Sequence, residues 1–308
     1  MRTGFLILIS SLAASAAPRV DNVLIRMVPP GSTALLVLHM KDLQQTDVFR
    51  QMMTSQAGSG IDQFAHETGF DPRRDVNELL VVTTPKGSVA LARGRFAVNA
   101  AALKDTVTVR HGMYTIWTRQ TSGFCILDGT LAAAGEVEAI EAALDEWRTG
   151  KHLDGLALAA HAATADPAAQ LWGVTSGAPT LLSDNLPRGG SGLDFSKLFR
   201  GLDATWFEGD LRTGFQAEVH GEAANEKDAL NLRDAVRGMV GLGRLNVPDD
   251  QPDMLRVFDG ITADQQGKAI TIKVDIAPEL VGKLLDMLNR PGRGPTRGET
   301  RGEKGHVL

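Results

Sequence analysis

Two stretches of the chain repeat one pattern of hydrophobic and polar positions. Each consists of a glycine, a short apolar strand and an amphipathic helix, at residues 129–147 and 267–288. In the second stretch, residues 270–276 alternate between apolar and polar, which is typical of a strand with one buried side. The leucines that follow recur at helical spacing, at Leu280, Leu284, Leu285 and Leu288.

The chain before the first stretch contains further elements. A continuous apolar run, Leu35–Leu38, follows Pro29, Pro30 and Gly31 and predicts a strand buried on both sides. A helix is predicted after Asp42. Strands are then predicted in "VNELLVVTT" and "GSVALARGRF", a hairpin in "TVTVRHGMYTIWT", a strand pair in "GFCIL" and "TLAAA", and a helix from Glu136 with Val137, Ile140, Leu144 and Trp147 on one side.

The same order of predicted strands and helices begins again at Asp166-Pro167. The pattern there predicts strands in "LWGV", "LDATWFEGDL" and "GFQAEVHGEA", and then a helix from Glu226, a short helix from Pro252 and the strand and helix of residues 267–288. Glycines seven residues apart bracket a strand in each occurrence of this order, at Gly87 and Gly94 and at Gly214 and Gly221.

These patterns predict an α+β protein of two related halves, each a mainly antiparallel sheet with helices packed on one face. The halves are expected at residues 20–150 and 166–289, joined by a helical linker at 151–165 and followed by a disordered tail at 290–308. A glycine-rich stretch, Arg188 to Gly192, predicts a mobile loop. The alternative is that an α+β chain of this length contains the same order of strands and helices twice by chance.

The N-terminus indicates export. Arg2 precedes an apolar run from Phe5 to Ala14, and Ala14-Ser15-Ala16 fits a signal-peptidase site that would leave Ala17 as the new N-terminus. We therefore expect a signal peptide at residues 1–16 and a periplasmic or secreted protein; the alternative is a buried N-terminal helix of a cytosolic protein. The apolar run is short for a membrane span, and no transmembrane segment is predicted in the mature chain.

Charge is distributed unevenly. The formal net charge of the 308 residues is −5, but the tail "RPGRGPTRGETRGEKGHVL" has five basic and two acidic residues, a balance of +3. The remaining acidic body argues against nucleic acid as a partner, because phosphate-backbone binding depends on clusters of Lys and Arg. The tail has two interpretations, a solvated terminus or a segment that contacts an anionic surface.

No motif predicts a metal, cofactor or catalytic site. The seven histidines lack the spacing of a metal site, and the single cysteine, Cys125 in "GFCIL", is interpreted as a buried small hydrophobe. "GGSGL" and "GITADQQGKAI" lack the spacing of a nucleophile elbow and of a phosphate loop. Asp249, Asp250 and Asp253 could hold calcium weakly but fit the start of a helix better. Trp172 and Trp206 could line a pocket or belong to the core.

The segment "MVPPGSTALLVLHMKDLQQTDVFRQM" resembles the opening of several families of uncharacterised exported bacterial proteins. In those families a proline-led apolar strand follows a signal peptide, and a helix beginning near Asp-Leu comes next. The strands in "VNELLVVTT", "GSVALARGRF" and "LWGV" are also similar, so that the resemblance spans most of residues 28–290. It implies export and an internal duplication, and it assigns no functional residue.

The sequence therefore predicts an exported, non-catalytic binding or envelope-associated module, with an unknown partner that could be a protein or the envelope. Two alternatives remain. One is a hydrolase whose site assembles from distant residues, for example with the loop at residues 188–192. The other is an oligomerising scaffold. An enzyme should have a deep pocket with converging polar groups and shifted pKa values, a binding module should have a sizeable exposed apolar patch, and a scaffold should elute as a defined oligomer.

Overall fold

A computed structural model of the chain describes residues 20–54, 61–62, 65, 71–97, 103, 106–149, 158, 166, 168–177, 201–249 and 251–289. Eight helices have defined bounds in these ranges: α1 Asn22–Ile25, α2 Met40–Leu43, α3 Asp47–Thr54, α4 Pro72–Asp75, α5 Val137–Thr149, α6 Glu226–Leu245, α7 Pro252–Asp259 and α8 Pro278–Asn289. The predicted signal peptide, the loop at 188–192 and the tail at 290–308 lie outside the described residues. So does the predicted linker at 151–165, apart from Leu158.

The described strands number twelve. They are β1 Ala34–Leu38, β2 Val76–Thr84, β3 Gly87–Gly94, β4 Val107–His111, β5 Tyr114–Arg119, β6 Ser122–Asp128, β7 Leu131–Glu136, β8 Leu171–Ser176, β9 Leu202–Asp210, β10 Phe215–Ala223, β11 Ile261–Gln266 and β12 Ala269–Ile276. All twelve form one sheet in the order β11-β12-β10-β9-β8-β1-β2-β3-β7-β6-β5-β4. Every pairing is antiparallel, which confirms the predicted α+β class.

The two halves meet at the centre of this sheet, where β1 pairs with β8. Leu36 lies opposite Gly173, and the register is symmetric about this pair, since Ala34 faces Thr175 and Leu38 faces Leu171. Outward from the centre, β1-β2-β3-β7-β6 on one side matches β8-β9-β10-β12-β11 on the other. This shared strand order supports the predicted relation between the halves. The first half inserts the hairpin β4-β5 where the second inserts α6 and α7.

Helix α5 packs on one side of the sheet, which we call the α5 side. Its Ile140 and Leu144 are fully buried in a cluster that also contains Leu35, Val37 and residues of α1. The predicted stripe of α5 is thus confirmed at its centre. Because side chains alternate along a strand, Leu36 points to the opposite side, which we call the α6 side.

Helix α6 lies on that opposite side. Its Ala229, Leu232 and Val236 are buried with Ala263 and Ile270, and Ile272 packs against them. The register joins Ile272 through Val219 and Phe207 to Gly173 and Leu36, so this row belongs to the α6 side. A further cluster, which includes α2, α3, α7 and α8, joins the two halves at one end of the strands.

The helices of the two repeated strand-and-helix stretches therefore pack on opposite sides of the sheet. β7 with α5 and β12 with α8 occupy equivalent places in the sheet order, but α8 packs with Ile276 and Val274 on the α6 side. Gly135 lies near the end of β7, two residues ahead of Val137, where α5 begins, with φ +145°, a conformation that other residues rarely adopt.

The glycines that flank β3 and β10 do not occupy equivalent positions of the two halves. The register equates Ala90 with Val219, so that Gly87 matches Gln216 and not Gly214.

Candidate functional site

One row of residues across the α5 side differs sharply between the halves. In the first half each member is at most 1% exposed: Val37, Leu80, Leu91, Ala133 and Cys125. These residues are neighbours on adjacent strands. The equivalent row of the second half is Val174, Trp206, His220, Thr271 and Asp264. Positions that form core in one half are therefore largely polar in the other.

The adjacent row repeats this difference. In the first half it is Leu35, Val82, Val89, Gly135 and Gly123. In the second half it is Trp172, Glu208, Glu218, Lys273 and Thr262. A glutamate and an ion pair thus stand where the first half places buried valines beneath α5. Charged groups are costly to bury, so this arrangement requires that the surface stay in contact with solvent or a polar partner.

We call this surface the open face. It is defined by eleven of the α5-side residues of β9 to β12: Trp206, Glu208, Asp210, Gln216, Glu218, His220, Thr262, Asp264, Thr271, Lys273 and Asp275. Of these described residues, only Trp206 belongs to a hydrophobic cluster. Five of them are acidic and one is a lysine, which gives a balance of −4 with His220 neutral. The open face is therefore acidic with an aromatic centre.

The aromatic centre is held by cross-strand contacts. The rings of Trp206 and His220 stack with centroids 5.3 Å apart and planes inclined by 14°. Nε2 of His220 lies 3.4 Å from Oε1 of Glu218, and its Nδ1 lies 3.3 Å from Oγ1 of Thr271. The side chains of His220 and Glu218 remain 25% and 28% exposed. Such a stack offers a flat surface that a guanidinium or ammonium group can approach.

Carboxylates surround this centre. Nζ of Lys273 lies 2.9 Å from Oε2 of Glu218, and this ion pair raises the pKa of Lys273. Burial raises the pKa of Asp210, but hydrogen bonds from Arg212 outweigh it and leave that pKa lowered. Asp210 is therefore ionised at neutral pH. A groove of about 290 Å³ lies between these groups, lined also by Asp166, Glu208 and Asp275.

A second pocket, of about 640 Å³, lies on the α5 side of the first half, around Glu78. Oε1 of Glu78 accepts a hydrogen bond of 2.7 Å from the backbone N–H of Asp21, which is the N-cap of α1. Nε of Arg93 donates to Oδ2 of Asp21 at 2.9 Å, and Nη1 of Arg93 donates to Oγ1 of Thr130 at 2.8 Å. These polar groups bond to one another and hold α1 against the sheet.

Among the described residues that line it, the Glu78 pocket has a carboxyl group with a shifted pKa and no nucleophile with a base beside it. Burial is the main cause that raises the pKa of Glu78, and Nδ1 of His39 lies 3.9 Å from its Oε2. Thr130 carries the only hydroxyl group among the lining residues that the structure describes, and it also donates to Asp128. The pocket thus contains the Glu78 carboxyl group, with its raised pKa, within the hydrogen-bond network that holds α1 against the sheet.

The residues that the sequence singled out as candidates for a site lie in separate parts of the structure. Trp172 is 2% exposed and belongs to the core, whereas Trp206 is on the open face. Asp253 lies in the first turn of α7, where a hydrogen bond from Lys283 is the main cause that lowers its pKa. Cys125 is fully buried, and burial raises its pKa to about 11. No group of three or more metal-ligating side chains occurs among the described residues.

No helix in the described part of the chain is long and apolar enough to cross a membrane. The open face was not predicted as a site, although the alternation of Gln216, Glu218 and His220 in "GFQAEVHGEA" contained the signal.

No protein-family model and no curated protein matches the sequence, whereas several solved structures do. Crystal form III of TP0453 superposes with a TM-score of 0.53 at 9% identity, covering 87% of this chain and 98% of that one. Crystal forms I and IV of TP0453 give TM-scores of 0.47 and 0.46 at 9% and 8% identity, each covering 88% of this chain and 98% and 97% of theirs. At this identity, the similarity to crystal form III shows that the chain shares the fold of TP0453.

Proposed function

We propose that this protein is an exported, non-catalytic binding module that uses the open face to bind a positively charged partner. The observation that carries the proposal is the change of Leu80, Leu91 and Val89 in the first half to Trp206, His220 and Glu218 in the second. The same backbone positions build a sealed core in one half and an acidic, aromatic surface in the other. A sheet side that had no partner could have kept its apolar residues beneath a helix, as the first half does.

The chemistry of the open face suits a cationic segment of a protein or peptide. Carboxylates on neighbouring strands lie roughly 5 Å apart, which allows several basic side chains to bind at once. The Trp206–His220 stack supplies a cation–π surface between them. Because these groups are solvent-exposed, the interaction should weaken as salt rises.

Binding of fluorescein-labelled octalysine tests the proposal by fluorescence anisotropy at low salt. In the variant Glu208→Gln/Glu218→Gln, two carboxylates lose their charge at nearly constant shape. An exposed charge pair contributes about 0.5–1 kcal/mol, so this variant should bind roughly five- to thirtyfold more weakly.

The matched control is Glu138→Gln/Glu226→Gln, which removes the same charge from the exposed first turns of α5 and α6. It should change the affinity less than about twofold, because these residues lie away from the open face. Equal losses in the two variants would show that octalysine senses only net charge, and the proposal would fail.

The export part of the proposal rests on the leader and on the family resemblance. N-terminal sequencing of the protein from an envelope fraction should give Ala17. A soluble cytosolic species with intact Met1 would contradict it.

A further inference from the structure

We infer that the open face has an occupant within the same chain, the basic tail of residues 290–308. This inference rests on the proposed function, because it takes the open face to be a cation-binding surface. It adds that the tail competes with external partners and so regulates access to that surface.

Charge complementarity is the first argument. The tail carries +3 through Arg290, Arg293, Arg297, Arg301 and Lys304 against two glutamates, while the open face carries −4 with His220 neutral. The body from residue 17 to residue 289 carries −9, so basic groups are concentrated in the tail. Four of the five are arginines, which bind carboxylates in a bidentate manner and stack on aromatic rings.

Reach is the second argument. Lys273 and Asp275 of the open face lie within five residues of Pro278, where α8 begins. Twelve helical residues carry the chain about 18 Å, and nineteen extended residues can span up to about 63 Å. The five strands of the second half are only about 24 Å wide at roughly 4.8 Å per strand. The tail can therefore return around the edge of the sheet to any part of the open face.

Spacing is the third argument. Basic residues recur every three or four positions in the tail, which places them about 10–13 Å apart in an extended chain. Asp210 and Asp275 belong to one row, on strands separated by β10, and so lie about 10 Å apart. The glycines and prolines between the arginines favour extended conformations over a helix. An occupant whose contacts are mainly exposed charge pairs binds weakly and can be displaced.

The experiment uses the full chain and a full chain with a neutral tail, Arg290→Gln/Arg293→Gln/Arg297→Gln/Arg301→Gln/Lys304→Gln. Removal of a tethered competitor should make octalysine bind the neutral-tail variant about fivefold more tightly, since short tethers give effective concentrations near the millimolar range. A synthetic peptide of residues 290–308 should then displace octalysine from this variant. It should bind at least fivefold more weakly once Glu208→Gln/Glu218→Gln is added.

The outcomes separate the two proposals. If octalysine binds both chains equally and the peptide does not compete, the tail is not the occupant and the proposed function stands. If octalysine binds neither chain, both proposals fail.

A spin label at Thr300→Cys tests whether the occupant is the tail of the same molecule. Cys125 is buried, so the label reacts at the introduced thiol. Broadening of the Glu218 and His220 amide signals that does not depend on protein concentration is expected. Broadening that grows with concentration would place the tail on a second copy and overturn the intramolecular form of the inference.

Discussion

Substitution of the equivalent residues Leu91 and His220 by alanine shows how much each half gains in stability from its α5 side. Leu91 is 0% exposed in the cluster beneath α5, and His220 occupies the same position of the second half on the open face. Leu91→Ala removes three methylene-sized groups at about 0.8 kcal/mol each and leaves a cavity, so the free energy of unfolding should fall by about 3 kcal/mol.

His220→Ala should cost much less. The residue loses a stack with Trp206 and an exposed contact with Glu218, which together contribute about 1 kcal/mol. Leu242→Ala is the matched control for the leucine truncation, because Leu242 is 52% exposed on α6. Its free energy of unfolding should change by less than about 0.5 kcal/mol.

Urea unfolding followed by circular dichroism measures all three variants. The midpoint should shift most for Leu91→Ala while the slope stays constant. A cost for His220→Ala as large as that for Leu91→Ala would mean that His220 is core, and the reasoning about the two sides would be refuted. A cost below 1 kcal/mol for Leu91→Ala would refute it equally.

Two further predictions concern buried groups. Burial raises the pKa of Glu78 in the folded state, so the folded protein binds this proton more tightly than the unfolded chain does. The stability that the protonated form contributes is therefore lost as pH rises through the folded pKa. The free energy of unfolding of wild type relative to Glu78→Gln should therefore fall between pH 4 and pH 7 in denaturant titrations. A difference that stays flat or rises over this range would contradict the prediction. The same comparison in a His39→Gln background is the control for the neighbouring imidazole. Cys125, with its pKa raised to about 11 and no exposure, should not react with Ellman's reagent at pH 8 in the native protein and should release one equivalent in urea, whereas rapid native labelling would contradict its burial.

Much of the local structure follows from the sequence because it depends on short-range periodicity. The alternation of Ile270 to Ile276 predicts β12 and its buried side, and Ile140 and Leu144 predict the packed stripe of α5. Pro252 predicts the first turn of α7. Each of these signals depends on residues only a few positions apart.

The arrangement of these elements depends on contacts that periodicity does not encode. The continuous sheet arises from the pairing of Leu36 with Gly173, where a Cβ on Gly173 would lie 2.6 Å from the Phe207 ring. The sequence contains that glycine but not its neighbour across the sheet. Likewise, the strand-and-helix pattern is the same for α5 and α8, but the turn and the packing partners decide on which side each helix lies.

The open face remained hidden for the same reason. Leu91 and His220 become comparable only when the register of the two halves equates them. Read alone, "GFQAEVHGEA" predicts an ordinary half-exposed strand. Only its comparison with the buried residues of β3 indicates that a core position has become a surface.

An amide NMR titration of the full chain with octalysine at low salt shows which residues the cation contacts. The largest shifts should fall on Glu208, Glu218 and His220, the equivalent residues Val82, Val89 and Leu91 should not shift, and the changes should disappear at high salt. Shifts spread evenly over the acidic surface, or absent from β9 and β10, would contradict the claim that the second half carries the binding surface.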